Sequence, residues 1–139
     1  MIAKYKFDKF DTDYFQFHLK DSETNETLKD AWTKEALSKS LAISKYIIGV
    51  GTQRDTTAKI IIEVFDTEPA LDTKTKWRQI LDSELNLPSG NLILTSPTLE
   101  ESSQKNIRLI PDVYRLRIYF NDEKKRGSHS YKIDFWRKN

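Results

Sequence analysis

The feature that most constrains this chain is apolar alternation with a period of two. Across residues 113–120, Tyr114, Leu116, Ile118 and Phe120 fall on one side, with Arg115, Arg117 and Tyr119 on the other. Only an extended strand sends successive side chains to opposite faces, and one apolar face implies a sheet packed on a core. Tyr131, Ile133 and Phe135 repeat the pattern near the C-terminus, and Ile60, Ile62 and Val64 do so in the middle. Shorter β-branched and aromatic runs lie at residues 5–7, 14–19, 46–50, 92–95 and 107–110. Pro88-Ser89-Gly90, Pro97 and Pro111-Asp112 punctuate these runs as turns, and residues 121–130 form a polar connection with Gly127 near its tip. About eight short strands at this spacing predict an all-β protein, a single antiparallel β-sandwich occupying residues 1–139 as one domain.

Two segments depart from alternation. Residues 30–37, Asp-Ala-Trp-Thr-Lys-Glu-Ala-Leu, predict one short helix near residues 31–39 with Asp30 as its N-cap. Residues 76–85 fit two periods, because Trp77, Ile80, Leu81 and Leu85 match a helix while Trp77, Leu81 and Leu85 also share a strand face. A lone long helix sits poorly inside a sandwich, so a strand is expected there.

Composition then excludes several classes. With 37% apolar and 32% charged residues the chain is not disordered-like. It has no apolar run long enough to span a bilayer, and no cysteine for a disulfide, a thiol nucleophile or a thiolate metal site. The first 20 residues mix charges with aromatics, which does not match a secretory signal, so a cytoplasmic location without membrane insertion is expected. The net charge of +2 conceals an asymmetry: residues 1–102 carry 13 Lys and Arg against 17 Asp and Glu, while residues 103–139 carry 10 against 4. Glu63, Asp66, Glu68 and Asp72 form an acidic stretch with no basic residue inside it. Each end of such a bipolar chain can steer a partner of opposite sign.

No catalytic constellation assembles. His18, expected on a solvent face beside Gln16, and His129, in the polar connection, have no partner that the sequence identifies. Two histidines in unrelated segments are not a zinc pattern, and residues 66–72 lack the ligand spacing of a calcium loop. Gly49-Val50-Gly51 has neither the third glycine nor the lysine of a phosphate cradle and reads as a strand bulge or turn. Neither a metal nor a cofactor is therefore expected, and the chain reads as a non-enzyme. The basic C-terminal part offers one alternative. Arg115, Arg117 and Lys132, with Tyr119 between them, form a face that could track phosphates and stack a base.

A family comes into view in the first half. Tyr14-Phe15-Gln16-Phe17 is followed by Trp32-Thr33-Lys34-Glu35-Ala36-Leu37, and then by residues 47–58, Ile-Ile-Gly-Val-Gly-Thr-Gln-Arg-Asp-Thr-Thr-Ala. This order resembles the competence protein J family, inhibitors of the bacterial DNA-entry nuclease, over about 45 residues. Trp32, Gln53 and Arg54 carry over as motif residues; Trp32 reads first as an anchor for the short helix, and Gln53 and Arg54 as residues that fix a turn. The resemblance implies a bacterial protein that binds and blocks a competence nuclease through a protein–protein interface. Charge, and not the family, nominates Asp66, Glu68 and Asp72 as the partner-binding carboxylates, because they could occupy a nuclease's cationic cleft. An immunity protein against a nuclease toxin, or a β-sandwich module binding nucleic acid or carbohydrate directly, remain the alternatives. Direct nucleic-acid binding ranks below a protein partner, and exposed edge strands leave room for a homo-oligomer.

Overall fold

A computed structural model describes residues 1–53, 57–122 and 129–139. Its strands are β1 (Ala3–Asp11), β2 (Gln16–Asp21), β3 (Leu41–Ile43), β4 (Ile47–Gly51), β5 (Thr57–Phe65), β6 (Gln79–Leu87), β7 (Asn91–Thr95), β8 (Lys105–Arg108), β9 (Asp112–Asn121) and β10 (Ser130–Arg137). The helix α1 spans Lys34–Lys39, and a single 3-10 turn spans Glu101–Ser103. The all-β reading therefore holds, with ten strands among the described residues where about eight were expected.

The strands form two five-stranded sheets, in the orders β1-β5-β10-β9-β6 and β3-β4-β2-β7-β8. The expectation of a purely antiparallel protein is corrected at one place: β10 runs parallel to β5, pairing Ile133 with Ile62. The alternating residues of β9 and β10 sit as the pattern demanded, with Tyr114, Leu116, Ile118, Phe120, Tyr131, Ile133 and Phe135 all buried. They join Phe17 and Leu19 of β2 and Ile48 and Val50 of β4 in one hydrophobic cluster drawn from both sheets. The Phe17 and Tyr131 rings meet edge to face across it, 5.4 Å between centroids. Each such fully buried apolar side chain contributes about 1.5–3 kcal/mol.

Sheet order dictates what covers the outer faces. To pass from β5 to β6 the chain must cross β10 and β9, so residues 66–78 lie over the outside of the first sheet. To pass from β2 to β3 it must cross β4, so residues 22–40 lie over the outside of the second. That second cover carries its own small apolar cluster, Leu28 and Ala36 against Ala42 and Ile47, with Ala31 and Trp32 packed on it.

Three local expectations are corrected. The helix is capped by Thr33, whose side chain accepts from the Ala36 N–H at 3.1 Å, and not by Asp30; the chain from Leu28 to Thr33 turns without being helical. Gly49 and Gly51 form no bulge: they lie in regular β4, paired with His18 and Gln16. Gly49 is required because a Cβ there would stand 2.7 Å from Leu28 Cδ1 and 2.9 Å from Trp32 Cζ2. The ambiguous segment is a strand from Gln79 onward, as expected.

Candidate functional site

The outer face of the first sheet brings the predicted acidic and basic residues together. Cross-strand register aligns Lys4 of β1, Glu63 of β5, Asp134 of β10, Arg117 of β9 and Asp82 of β6 in one row across all five strands. The 66–78 segment then adds its own charges. Arg117 donates to Glu68 at 2.8 Å and to the Pro69 carbonyl at 3.0 Å, and approaches Asp82 at 3.4 Å. Lys132 meets Asp72 at 3.2 Å and Glu63 at 3.6 Å. Sequence separation hid this pairing, since Glu68 and Arg117 are 49 residues apart.

The consequence differs for each nominated residue. Asp66 is exposed, whereas Glu68 and Asp72 hold the segment to the sheet. Arg115 is exposed, but the Arg117 and Lys132 side chains retain only 11% and 16% of their exposure. Tyr119, expected to stack a base from an open face, is buried: its hydroxyl accepts from the Asp72 N–H at 3.1 Å, and the Trp77 ring lies 5.0 Å away. Its face also receives the Lys132 ammonium, 4.5 Å from the ring centroid. Beneath the segment Glu63 and Asp134 are both buried. Burial, reinforced by Glu63 and only partly opposed by Lys132 and Arg117, pushes the Asp134 carboxyl up to about 6. Among the described residues no group of three or more potential ligands is placed to hold a metal ion.

The motif residues converge elsewhere, at one end of the second sheet. Gln16 Oε1 accepts from the Trp32 indole at 3.1 Å and lies 2.6 Å from His18 Nε2. Because that oxygen is an acceptor, His18 must donate through Nε2–H. The histidine is not the solvent-facing residue expected: it is part-buried beside the cover over Gly49, and burial, helped by Lys20, lowers it to about 4. It is thus neutral at pH 7. His129, expected in an open polar connection, is buried.

Beside this network, Tyr14, Phe15, Gln16, Trp32, Leu37, Ser40, Gly51, Thr52 and Gln53 line a depression of about 260 Å³. Trp32 packs on the Leu28 cluster. Gln53 lies at the rim, and Arg54 falls outside the described residues. In the sequence Tyr14 and Phe15 read as part of a motif and of a strand. They are instead the two central residues of a tight turn between β1 and β2, with φ of 51° and 56°. Asp13 and Gln16 flank the turn with two backbone hydrogen bonds of 3.1 and 3.3 Å. The signal for that turn was faint, because neither Gly nor Asn occupies it.

No family model and no curated relative matches the chain. Two solved structures do resemble it. The crystal structure of ComJ from Bacillus subtilis, an inhibitor of the DNA-degrading activity of NucA, matches with a TM-score of 0.78 at 18% identity, covering 99% of this chain and 98% of that one. The structure of crocagin biosynthetic gene J matches with a TM-score of 0.66 at 12% identity, over 99% and 97%. The fold is therefore ComJ-like from end to end. No helix among the described residues is long and apolar enough to cross a membrane.

Proposed function

We propose that this chain is an inhibitor that binds a DNA-degrading nuclease and blocks its action. The observation that carries this reading is end-to-end likeness to a nuclease inhibitor, joined to a motif cluster that meets at one surface. Tyr14-x-Gln16-Phe17, Trp32 and Gly51-Thr52-Gln53 are scattered over some 40 positions, yet they surround one depression or pack directly behind it. The chemistry also favours a binding role. The histidines are a neutral, hydrogen-bonded His18 and a buried His129, and the buried carboxyls Glu63 and Asp134 lie under a closed segment away from the depression.

The partner is a protein that handles DNA, so its active face is cationic, and the inhibitor should reach it by charge steering that weakens with salt. The test is depletion of nuclease activity. Immobilised protein passed through lysate of the native cell should remove a DNA-degrading activity that reappears when the complex is dissociated. Undiminished activity in the flow-through, with no DNA degradation by the eluate, would reject the reading.

A further inference from the structure

The strained aromatic turn between β1 and β2 is the feature that the fold itself does not require. A two-residue hairpin loop with both central residues at positive φ is built most easily from Asn-Gly or Asp-Gly. Bulky residues in the left-handed region are costly outliers, and such strain persists only where the surroundings impose it. Here the surroundings do so. Phe15 C=O accepts from the Thr52 N–H at 2.8 Å, Gln16 is held by Trp32, and the Asp13 carboxylate is anchored by the backbone and hydroxyl of Thr98. Ser40, the third non-glycine residue with positive φ among those described, lines the same depression. Yet Tyr14 is 67% exposed and Phe15 56%, with Leu37 at 64% on the same rim. Strain without burial does not serve the core.

Charge accompanies the rings. Residues 8–15 carry Asp8, Asp11 and Asp13 against Lys9 alone, and Asp8 and Asp11 are exposed. Rings beside carboxylates offer a DNA-binding cleft what DNA itself offers, a surface for stacking and anions for its cations. Resting on the nuclease-inhibitor reading above, we propose that the Tyr14-Phe15 turn, with the exposed Asp11 behind it, enters the nuclease's DNA cleft and competes with DNA for it. The rings occupy positions where bases stack, and the Asp11 carboxylate faces the groups that bind phosphate. The rigid turn limits the ordering cost of binding.

The experiment replaces Tyr14→Asn together with Phe15→Gly, which gives the turn its preferred residues while removing both rings. The probe is the DNA-degrading nuclease that the immobilised chain retains from native lysate, cutting linear double-stranded DNA and followed as initial rates over a range of DNA concentrations. The wild-type chain should raise KM and leave kcat unchanged. The double variant should weaken inhibition about 100-fold, the loss expected for two buried aromatic anchors. Tyr14→Ala, which removes one exposed ring, should weaken it about 10-fold and guards against misfolding of the double variant. The variant Asp66→Ser, Glu68→Ser, Asp72→Ser should still inhibit. Inhibition by wild type that survives both turn variants, or that lowers kcat at saturating DNA, would overturn the turn proposal and leave the inhibitor reading standing. No inhibition of that nuclease by wild type would overturn both.

Discussion

Replacing Gly49→Ala tests the packing that positions the motif cluster. An added Cβ would lie 2.7 Å from Leu28 Cδ1 and 2.9 Å from Trp32 Cζ2, each well inside ordinary contact. The Leu28 methyl can swing aside, but the Trp32 ring is held by its hydrogen bond to Gln16 and must move as a body. Overpacking of this kind costs about 1–3 kcal/mol, and removing glycine from a strand returns about 0.5–1 kcal/mol. The net expectation is a loss of about 1–2 kcal/mol, or a fall in Tm of about 3–7 °C for a chain of this size. The assay is thermal and urea unfolding of wild type, Gly49→Ala, Trp32→Ala and the double variant. In the Trp32→Ala background only the yielding Leu28 methyl is left to meet the added Cβ, so Gly49→Ala should cost at least about 1 kcal/mol less there. Full additivity, or a Gly49→Ala protein as stable as wild type, would refute the claim that the cover over β4 demands a glycine.

Three further substitutions probe buried charge. Asp134 binds its proton more tightly in the folded chain than in the unfolded one, from an ordinary 3.8 up to about 6, so its contribution is lost as pH rises across that window. Asp134→Asn should therefore gain on wild type by about 2 kcal/mol between pH 4 and pH 6.5, read from urea midpoints, and a difference independent of pH would contradict the buried carboxyl pair. His18 has the opposite sign, since its lowered value of about 4 makes wild-type stability rise with pH between about 4 and 6.5. His18→Asn should flatten that rise. Arg78→Gln removes the guanidinium 2.5 Å from the fully buried Asp122 carboxylate, leaving it the Tyr131 hydroxyl at 2.9 Å. A loss of about 3 kcal/mol at unchanged m-value is expected, and a loss below 1 kcal/mol would mean the pair is not desolvated.

How much of this was legible in the sequence depended on whether the signal was local. The inward residues of β5, β9 and β10 were readable because alternation is a property of neighbouring residues. The parallel pairing of β10 with β5 was not, since no local pattern distinguishes it from an antiparallel neighbour. The fate of Glu68, Asp72, Arg117 and Lys132 was illegible for the same reason. Each looked like a free surface charge until sheet order carried residues 66–78 across β10 and β9. Gly49 was visible as an oddity, but its cause lay 17 and 21 positions upstream, in Trp32 and Leu28. The Tyr14-Phe15 turn was masked by its residues, which spell a strand, and only the backbone dihedrals reveal it.

The central claim is that this chain blocks a DNA-degrading nuclease by binding it. The most direct measurement takes the DNA-degrading nuclease that the immobilised chain retains from native lysate and titrates its activity on linear DNA with the purified chain at low salt. The account predicts a stoichiometric fall to residual activity that is relieved as salt is raised. Activity unchanged at a large molar excess of the chain, or cleavage of DNA by the chain alone, would contradict it.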